Sequence, residues 1–212
     1  EYTKKSLLKT HNWAKKCLSV KKTNQAIFGI IQGGRYKDLR QESAKFISAL
    51  PFDGFGIGGE FGSDINKMSE MIRWVIDELP EKTPRHLLGI GYLKDIEMVV
   101  RSGIDLFDCT VPTHFARRGI AFTSERVARD SRKAGSPDLG KLNLKQIKFL
   151  KKHEPLDREC VCNVCLSYKK DYISHLLRTR ELTAFKLLTF HNLYYFNNFI
   201  EDIRTKIKKG EI

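Results

Sequence analysis

The 212-residue chain is 41% apolar and 30% charged, with five cysteines and a formal net charge of +13. That composition can bury a core and places the chain in the globular class, not the disordered one, and the cationic excess predicts a polyanionic partner, nucleic acid or an acidic membrane surface. No run of 18 apolar residues occurs to span a bilayer.

The opening "EYTKKSLLKTHNWAKKCLSVKK" carries seven lysines. It reads as an amphipathic helix and lacks the apolar stretch of a secretory signal, so the cytoplasm is the expected compartment. Glu1 in place of Met, and a start that reads as mid-helix, predict a piece of a longer protein.

From Gln25 to about Pro112 one phrase recurs, a short apolar run ending in glycine or a turn and then an amphipathic segment. The runs "AIFGIIQGG", "FDGFGIGGE", "RHLLGIG" and "GIDLFDCTVP" are apolar throughout, as strands covered on both faces of a parallel sheet require. Between them, Leu39, Phe46, Ile47 and Leu50 form one helical stripe, and Met68, Met71, Ile72, Val75, Ile76 and Leu79 another; "YLKDIEMVVRSG" is the third helix. The phrases predict right-handed βαβ units, about half of a closed barrel or a small open sheet.

Residues 25–113 hold ten basic and thirteen acidic residues, whereas residues 114–152 hold eleven basic and three acidic ones. The surplus charge is therefore local, in a basic loop with a short helix around Leu144 to Leu150. Two long helices are expected after it, about Leu166 to Leu182 and His191 to Lys208, the second burying Leu193, Phe196, Ile200, Ile203 and Ile207.

Cys160, Cys162 and Cys165 in "CVCNVC" are too crowded for more than one disulfide among them. They read as three soft ligands of a tetrahedral zinc site, or else as buried or redox-active thiols. A fourth ligand must come from elsewhere, and His191 is better placed than mid-helix His175 or upstream His153. Four protein ligands leave no open position, so such a metal is structural.

Ligands of parallel α/β sheets bind at the carboxyl ends of strands. "IIQGG" puts the Gln32 amide there, "GIGGE" puts Gly58 and Gly59 there, and "LFDC" puts Asp108 there. Each also has an ordinary reading, as a solvated turn residue, turn glycines and a loop brace. Asp105 falls at the amino end of its strand and is the weaker choice of carboxylate. Arg117 and Arg118, downstream of Asp108 at the start of the basic segment, suit phosphate contacts, or else belong to a solvated charged loop.

In this order, "FGIIQGG", "GFGIGGE", "LLGIG", "GIDLFDCTVPT", "CVCNVC" and "FHNL" resemble the carboxyl-terminal half of the bacterial-type tRNA-guanine transglycosylases, also called queuine tRNA-ribosyltransferases. The resemblance implies an α/β chain that forms part of a (β/α)8 TIM barrel with a zinc-binding helical subdomain. Residues 1–125 would be barrel, 126–159 the basic loop and short helix, and 160–212 the zinc-binding subdomain and closing barrel helix. It implies a cytoplasmic pentosyltransferase of the queuosine pathway that replaces guanine at the tRNA wobble position with a 7-deazaguanine, through a covalent aspartyl-ribosyl intermediate.

By the same resemblance Asp108 is the nucleophile, and Gln32, Gly59 and Leu88 contact the base. Gly89, Ile90, Gly91, Tyr92, Leu93, Lys94 and Asp95, with Thr113, His114, Phe115, Ala116 and Arg117, contact the anticodon loop. Cys160, Cys162, Cys165 and His191 hold one structural zinc ion per chain, and the full-length enzyme pairs as a homodimer. His114 and Arg118 stand where the family more often has Arg and Asn. The family's Ser-Gly-Gly-Phe motif and second active-site aspartate belong to the amino-terminal half, so these 212 residues alone are expected to be inactive. The alternatives are a non-catalytic or degenerate tRNA-binding paralogue and an archaeal-type relative modifying another tRNA position.

Overall fold

The computed structural model describes residues 1–62, 64–124 and 140–212. Internal contacts divide the chain into two compact units, Glu1–Cys109 and Thr110–Ile212. No helix among the described residues is long and apolar enough to cross a membrane.

The first unit opens with α1 (Tyr2–Val20) and continues as β1 (Phe28–Ile31), α2 (Lys37–Ser48), β2 (Gly54–Ile57), α3 (Ile65–Ile76), β3 (Arg85–Leu87), α4 (Leu93–Arg101) and β4 (Leu106–Phe107). All four apolar runs are strands, parallel and in the sequential order β1-β2-β3-β4. Ile31, Ile57, Leu87 and Phe107 form one cross-strand row. The first three are fully buried against Ala44 and Ile47 of α2, Ile72 and Val75 of α3, and Val99 of α4. Asp64 starts α3 by accepting from the Asn66 and Lys67 amides, a side-chain N-cap.

The opposite face of the sheet follows a second rule. Gly54, Gly56 and Gly58 alternate along the β2 run, and a Cβ on them would fall 2.5 Å from the Phe28 ring, 2.8 Å from Ile30 Cδ1 and 2.8 Å from Gln32 Nε2. Contacts that short do not occur, so β2 is bare on this face because three successive outward side chains of the β1 run lie across it.

The second unit contains α5 (Val111–Arg117), β5 (Ile120–Phe122), β6 (Lys141–Asn143), a 3-10 turn (Ile147–Lys151), α6 (Asn163–Ser167), α7 (Lys170–Arg178) and α8 (Leu182–Lys208). The expected basic loop lies outside the described residues over 126–139; the rest of it forms antiparallel β6 and the 3-10 turn.

Two helical expectations are corrected. The helix expected over Leu166 to Leu182 is broken at the extended residues Tyr168 and Lys169, and Arg180, at φ 59°, turns the chain into α8. α8 therefore begins nine residues before His191, because nothing in "LTAFKLLTF" interrupts a helix. Its buried side holds Ala184, Leu188, His191, Asn192 and Ile203, while Leu193 and Ile207 are 41% and 46% exposed. Polar His191 and Asn192 occupy the inward face because they have partners there.

Candidate active site and metal centre

Every strand of the first unit delivers its next residue to the same edge. Beyond the row Ile31–Ile57–Leu87–Phe107 come Gln32, Gly58, Leu88 and Asp108, the carboxyl edge of a parallel sheet.

The Asp108 carboxylate is 63% exposed. Its Oδ1 accepts from His86 Nε2 at 3.1 Å and from the Gly89 amide at 3.2 Å; Oδ2 takes no hydrogen bond among the described residues. One oxygen is thus anchored and the other presented. Asp105 braces the strand's amino end instead, accepting from the Arg85 amide at 2.9 Å. Gly89 sits at φ 76° with open space around its Cα, so backbone conformation alone calls for glycine there.

At the other end of the edge, the Gln32 amide rests on Gly58, and its Oε1 lies 3.2 Å from where a Gly59 Cβ would stand. Its backbone amide donates to Ser43 Oγ at 3.2 Å. Gln32, Gly33 and Gly59 open on a cleft of about 290 Å³ whose far wall is Thr3, Ser6 and Thr10 of α1. Two features of this edge were missed in the sequence. His86 reads as one residue of an apolar run, although its alternation with buried Leu87 placed it on the Asp108 face. No sequence signal marked α1 as a wall.

Leu88 is half-buried at the edge, its amide donating to Ile57 O. In the stretch after it, Gly89, Tyr92 and Lys94 are exposed, Gly91, Leu93 and Asp95 are buried, and Ile90 packs on the core. Burial pushes the Asp95 carboxyl up. On α5, Ala116 is fully buried, Thr113, His114 and Phe115 are half-buried, and Arg117 is exposed with Arg118 beside it.

Within the second unit, Cys160, Cys162, Cys165 and His191 bring their ligand atoms within 4.8 Å of one another. Cys162 caps α6, its sulfur accepting from the Cys165 amide. His191 Nε2 donates to the Phe122 carbonyl at 2.8 Å, which leaves the Nδ1 side facing the sulfurs of Cys160, Cys162 and Cys165 at 3.8, 3.4 and 3.4 Å. Tetrahedral zinc, with bonds of about 2.3 Å to sulfur and about 2.05 Å to nitrogen, separates nitrogen from sulfur by about 3.55 Å. The cluster fits a zinc site, complete with the outer hydrogen bond that orients a metal-binding imidazole. The hydrogen bond from Cys165 pulls the Cys160 thiol down to about 4 despite burial, and the same bond pushes Cys165 up. A thiolate is therefore already favoured in the cluster.

Asn192 completes the anchor. It accepts from the Phe122 amide at 3.0 Å and donates to the Pro112 and Ile120 carbonyls at 3.0 and 2.9 Å. Successive residues of α8 thus take the carbonyl and the amide of one β5 residue.

A parallel α/β sheet with polar groups along its carboxyl edge, accompanied by a Cys3His cluster that fits zinc, makes this an α/β protein with a candidate metal site. The sequence profile described as "Queuine tRNA-ribosyltransferase" matches residues 1–212, and the chain belongs to that family. A protein of Archaeoglobus fulgidus bearing the same family name is 40% identical over 210 residues, 99% of this chain and 51% of its own length. The queuine tRNA-ribosyltransferase of Halothermothrix orenii is 37% identical over 214 residues, 100% of this chain and 54% of its own. That of Bacillus subtilis is 36% identical over 215 residues, 100% and 53%. The chain thus spans about half the length of the curated relatives it matches.

Proposed function

We propose that the chain is the nucleophile-bearing and metal-bearing part of a tRNA base-exchange enzyme. It would act in the cytoplasm on guanine at the wobble position and install a 7-deazaguanine. The observation that carries this reading is the Asp108 carboxylate, open at the sheet edge with one oxygen held and the other without a hydrogen bond among the described residues.

In this mechanism Oδ2 of Asp108 attacks the anomeric carbon as the bond to guanine breaks, and the electron pair leaves with the base. The ribose remains on the carboxylate as a covalent ester, as in retaining glycosidases. The incoming base then attacks the same carbon and releases Asp108, so two inversions retain configuration. Gln32 and Gly59 would read the base by hydrogen bonds and Leu88 would pack on its face, which requires a nucleotide splayed from its loop. Gly89, Tyr92, Lys94 and Arg117 offer the exposed positions for the tRNA backbone within the two proposed contact stretches.

The sheet is proposed as part of a (β/α)8 barrel. Its sequential strand order supports this, since a doubly wound sheet reverses direction at a switch point. So does the second sheet face, where β1 side chains lie across a bare β2 and Leu106 is 44% exposed, as on strands that line a barrel interior. The Cys3His cluster would hold one structural zinc ion, and the full-length enzyme would pair as a homodimer.

The test is labelled-guanine exchange into tRNA by the full-length protein. Asp108→Asn should lower kcat by at least about 10³-fold and abolish the tRNA–protein adduct on a denaturing gel, with zinc content unchanged. Undiminished exchange rejects Asp108 as nucleophile.

A further inference from the structure

Arg40, in the first turn of α2, is completely buried, an unusual place for a guanidinium. Its Nε donates to Gly34 O at 2.6 Å, one terminal nitrogen to Gly58 O at 3.2 Å and the other to Glu60 O at 3.4 Å. The Phe61 ring covers it at 4.5 Å. Burial draws its pKa down to about 10, which leaves it cationic at neutral pH. A single side chain therefore clasps the loop after β1, "QGG", to the loop after β2, "GGE".

The clasp constrains both loops. Gly33 passes so close that a Cβ would fall 2.6 Å from the Arg40 amide nitrogen. Gly59, at φ 97°, would place a Cβ 3.2 Å from the Arg40 guanidinium and 3.2 Å from Gln32 Oε1.

Carbonyl and amide of a trans peptide point in opposite directions. With the Gly58 carbonyl turned toward Arg40, the N–H of the same peptide, that of Gly59, points away from it, on the residue that adjoins the Gln32 amide at the cleft. A cation on the carbonyl also polarises the peptide and strengthens its N–H as a donor. Guanine offers O6 and N7 as acceptors, but a 7-deazaguanine has carbon in place of N7. On that edge, O6 is the one acceptor that the departing and the incoming base share.

We propose that Arg40 is a positioning residue, one that aims the Gly59 N–H at the purine keto oxygen and stabilises the negative charge reaching that oxygen as the base departs. The inference rests on the base-exchange reading above. It adds to that reading a buried cation that touches no substrate yet sets base recognition.

The experiment compares wild-type, Arg40→Lys and Arg40→Met full-length proteins at equal zinc content. It measures KM for guanine and for tRNA separately, and inhibition by 2-aminopurine, which lacks the keto oxygen. Arg40→Lys, whose compact ammonium lacks the fork that reaches the three carbonyls from three separate nitrogens, should raise KM for guanine about tenfold, one hydrogen bond's worth. Its preference for guanine over 2-aminopurine should shrink by the same factor, with KM for tRNA within about twofold of wild type. Arg40→Met should lose more of that preference. An unchanged preference in Arg40→Lys, or parallel worsening of the guanine and tRNA constants, overturns the proposal and makes Arg40 a scaffold residue. A wild-type protein that exchanges no guanine removes the base-exchange reading itself, and this inference with it.

Discussion

His86 and Asp108 are 22 residues apart in sequence, yet Nε2 of one lies 3.1 Å from Oδ1 of the other. Register explains the meeting: His86 pairs with Leu106 across β3 and β4, and Asp108 is the next residue on the same face as Leu106. An imidazole N–H that donates to one carboxylate oxygen fixes its direction without covering the second oxygen, as a bidentate arginine would.

His86→Phe should therefore lower kcat of guanine exchange about 10- to 100-fold, the cost of a hydrogen bond to a charged group. KM for tRNA should change little, and His86→Gln should recover part of the loss. Steady-state kinetics on the full-length protein decides this; a wild-type kcat in His86→Phe removes His86 from the site.

Gly58→Ala tests the seat of the Gln32 amide, proposed above to read the base. The added methyl would stand 2.8 Å from Gln32 Nε2, so the amide must move. KM for guanine should rise about tenfold, while kcat falls less. Gln32→Ala should give a similar loss, and the double variant should cost no more than either single one, since both act on one contact.

His191→Ala should lose zinc, read as metal per chain by atomic absorption, and should lower the thermal midpoint. Unchanged zinc content would remove His191 from the ligand set. Ligands must shed protons to bind metal, so zinc affinity in the wild type should fall as the pH falls.

Glu154 predicts an acid dependence apart from the Cys3His cluster. Its carboxylate bridges Arg158 at 2.8 Å and the buried Lys170 at 3.1 Å. The hydrogen bond from Arg158, then that from Lys170, pulls its pKa from 4.5 to about 2. A carboxyl depressed by folding stabilises the fold above its unfolded value and loses that contribution as pH falls through the folded one. Glu154→Gln should therefore lower the thermal midpoint at neutral pH. The gap to wild type should narrow from about pH 4.5 and close near pH 2.

The parts of the molecule that obey a simple period were legible. Four apolar runs gave four strands, but the cover expected on both faces is met on one: Ile31, Ile57 and Leu87 are buried under the helices, whereas β1 is only half-buried on its other face and Leu106 of β4 is exposed. Asp108 could be placed by counting past Leu106 and Phe107. The residues that escaped are polar groups in apolar settings. Arg40 sits in a charged amphipathic stretch, where an arginine reads as solvated, and only the paths of two glycine loops make it a buried clasp. On α8, His191 and Ile203 face inward as expected, but Leu193 and Ile207 do not, because Asn192, polar by type, is drawn in by the Phe122 amide and two carbonyls. The gap between α6 and α7 follows from two extended residues, Tyr168 and Lys169, that carry no proline or glycine to announce them.

The bare glycine track along β2 leaves the sheet with one dry side and one side where Phe28 and Ile30 are half-covered and Leu106 meets water. Such a surface is adhesive. Prepared as these 212 residues, the protein should form soluble aggregates that mild detergent disperses, and a peptide or polypeptide able to roof that face should act as its solubilising complement.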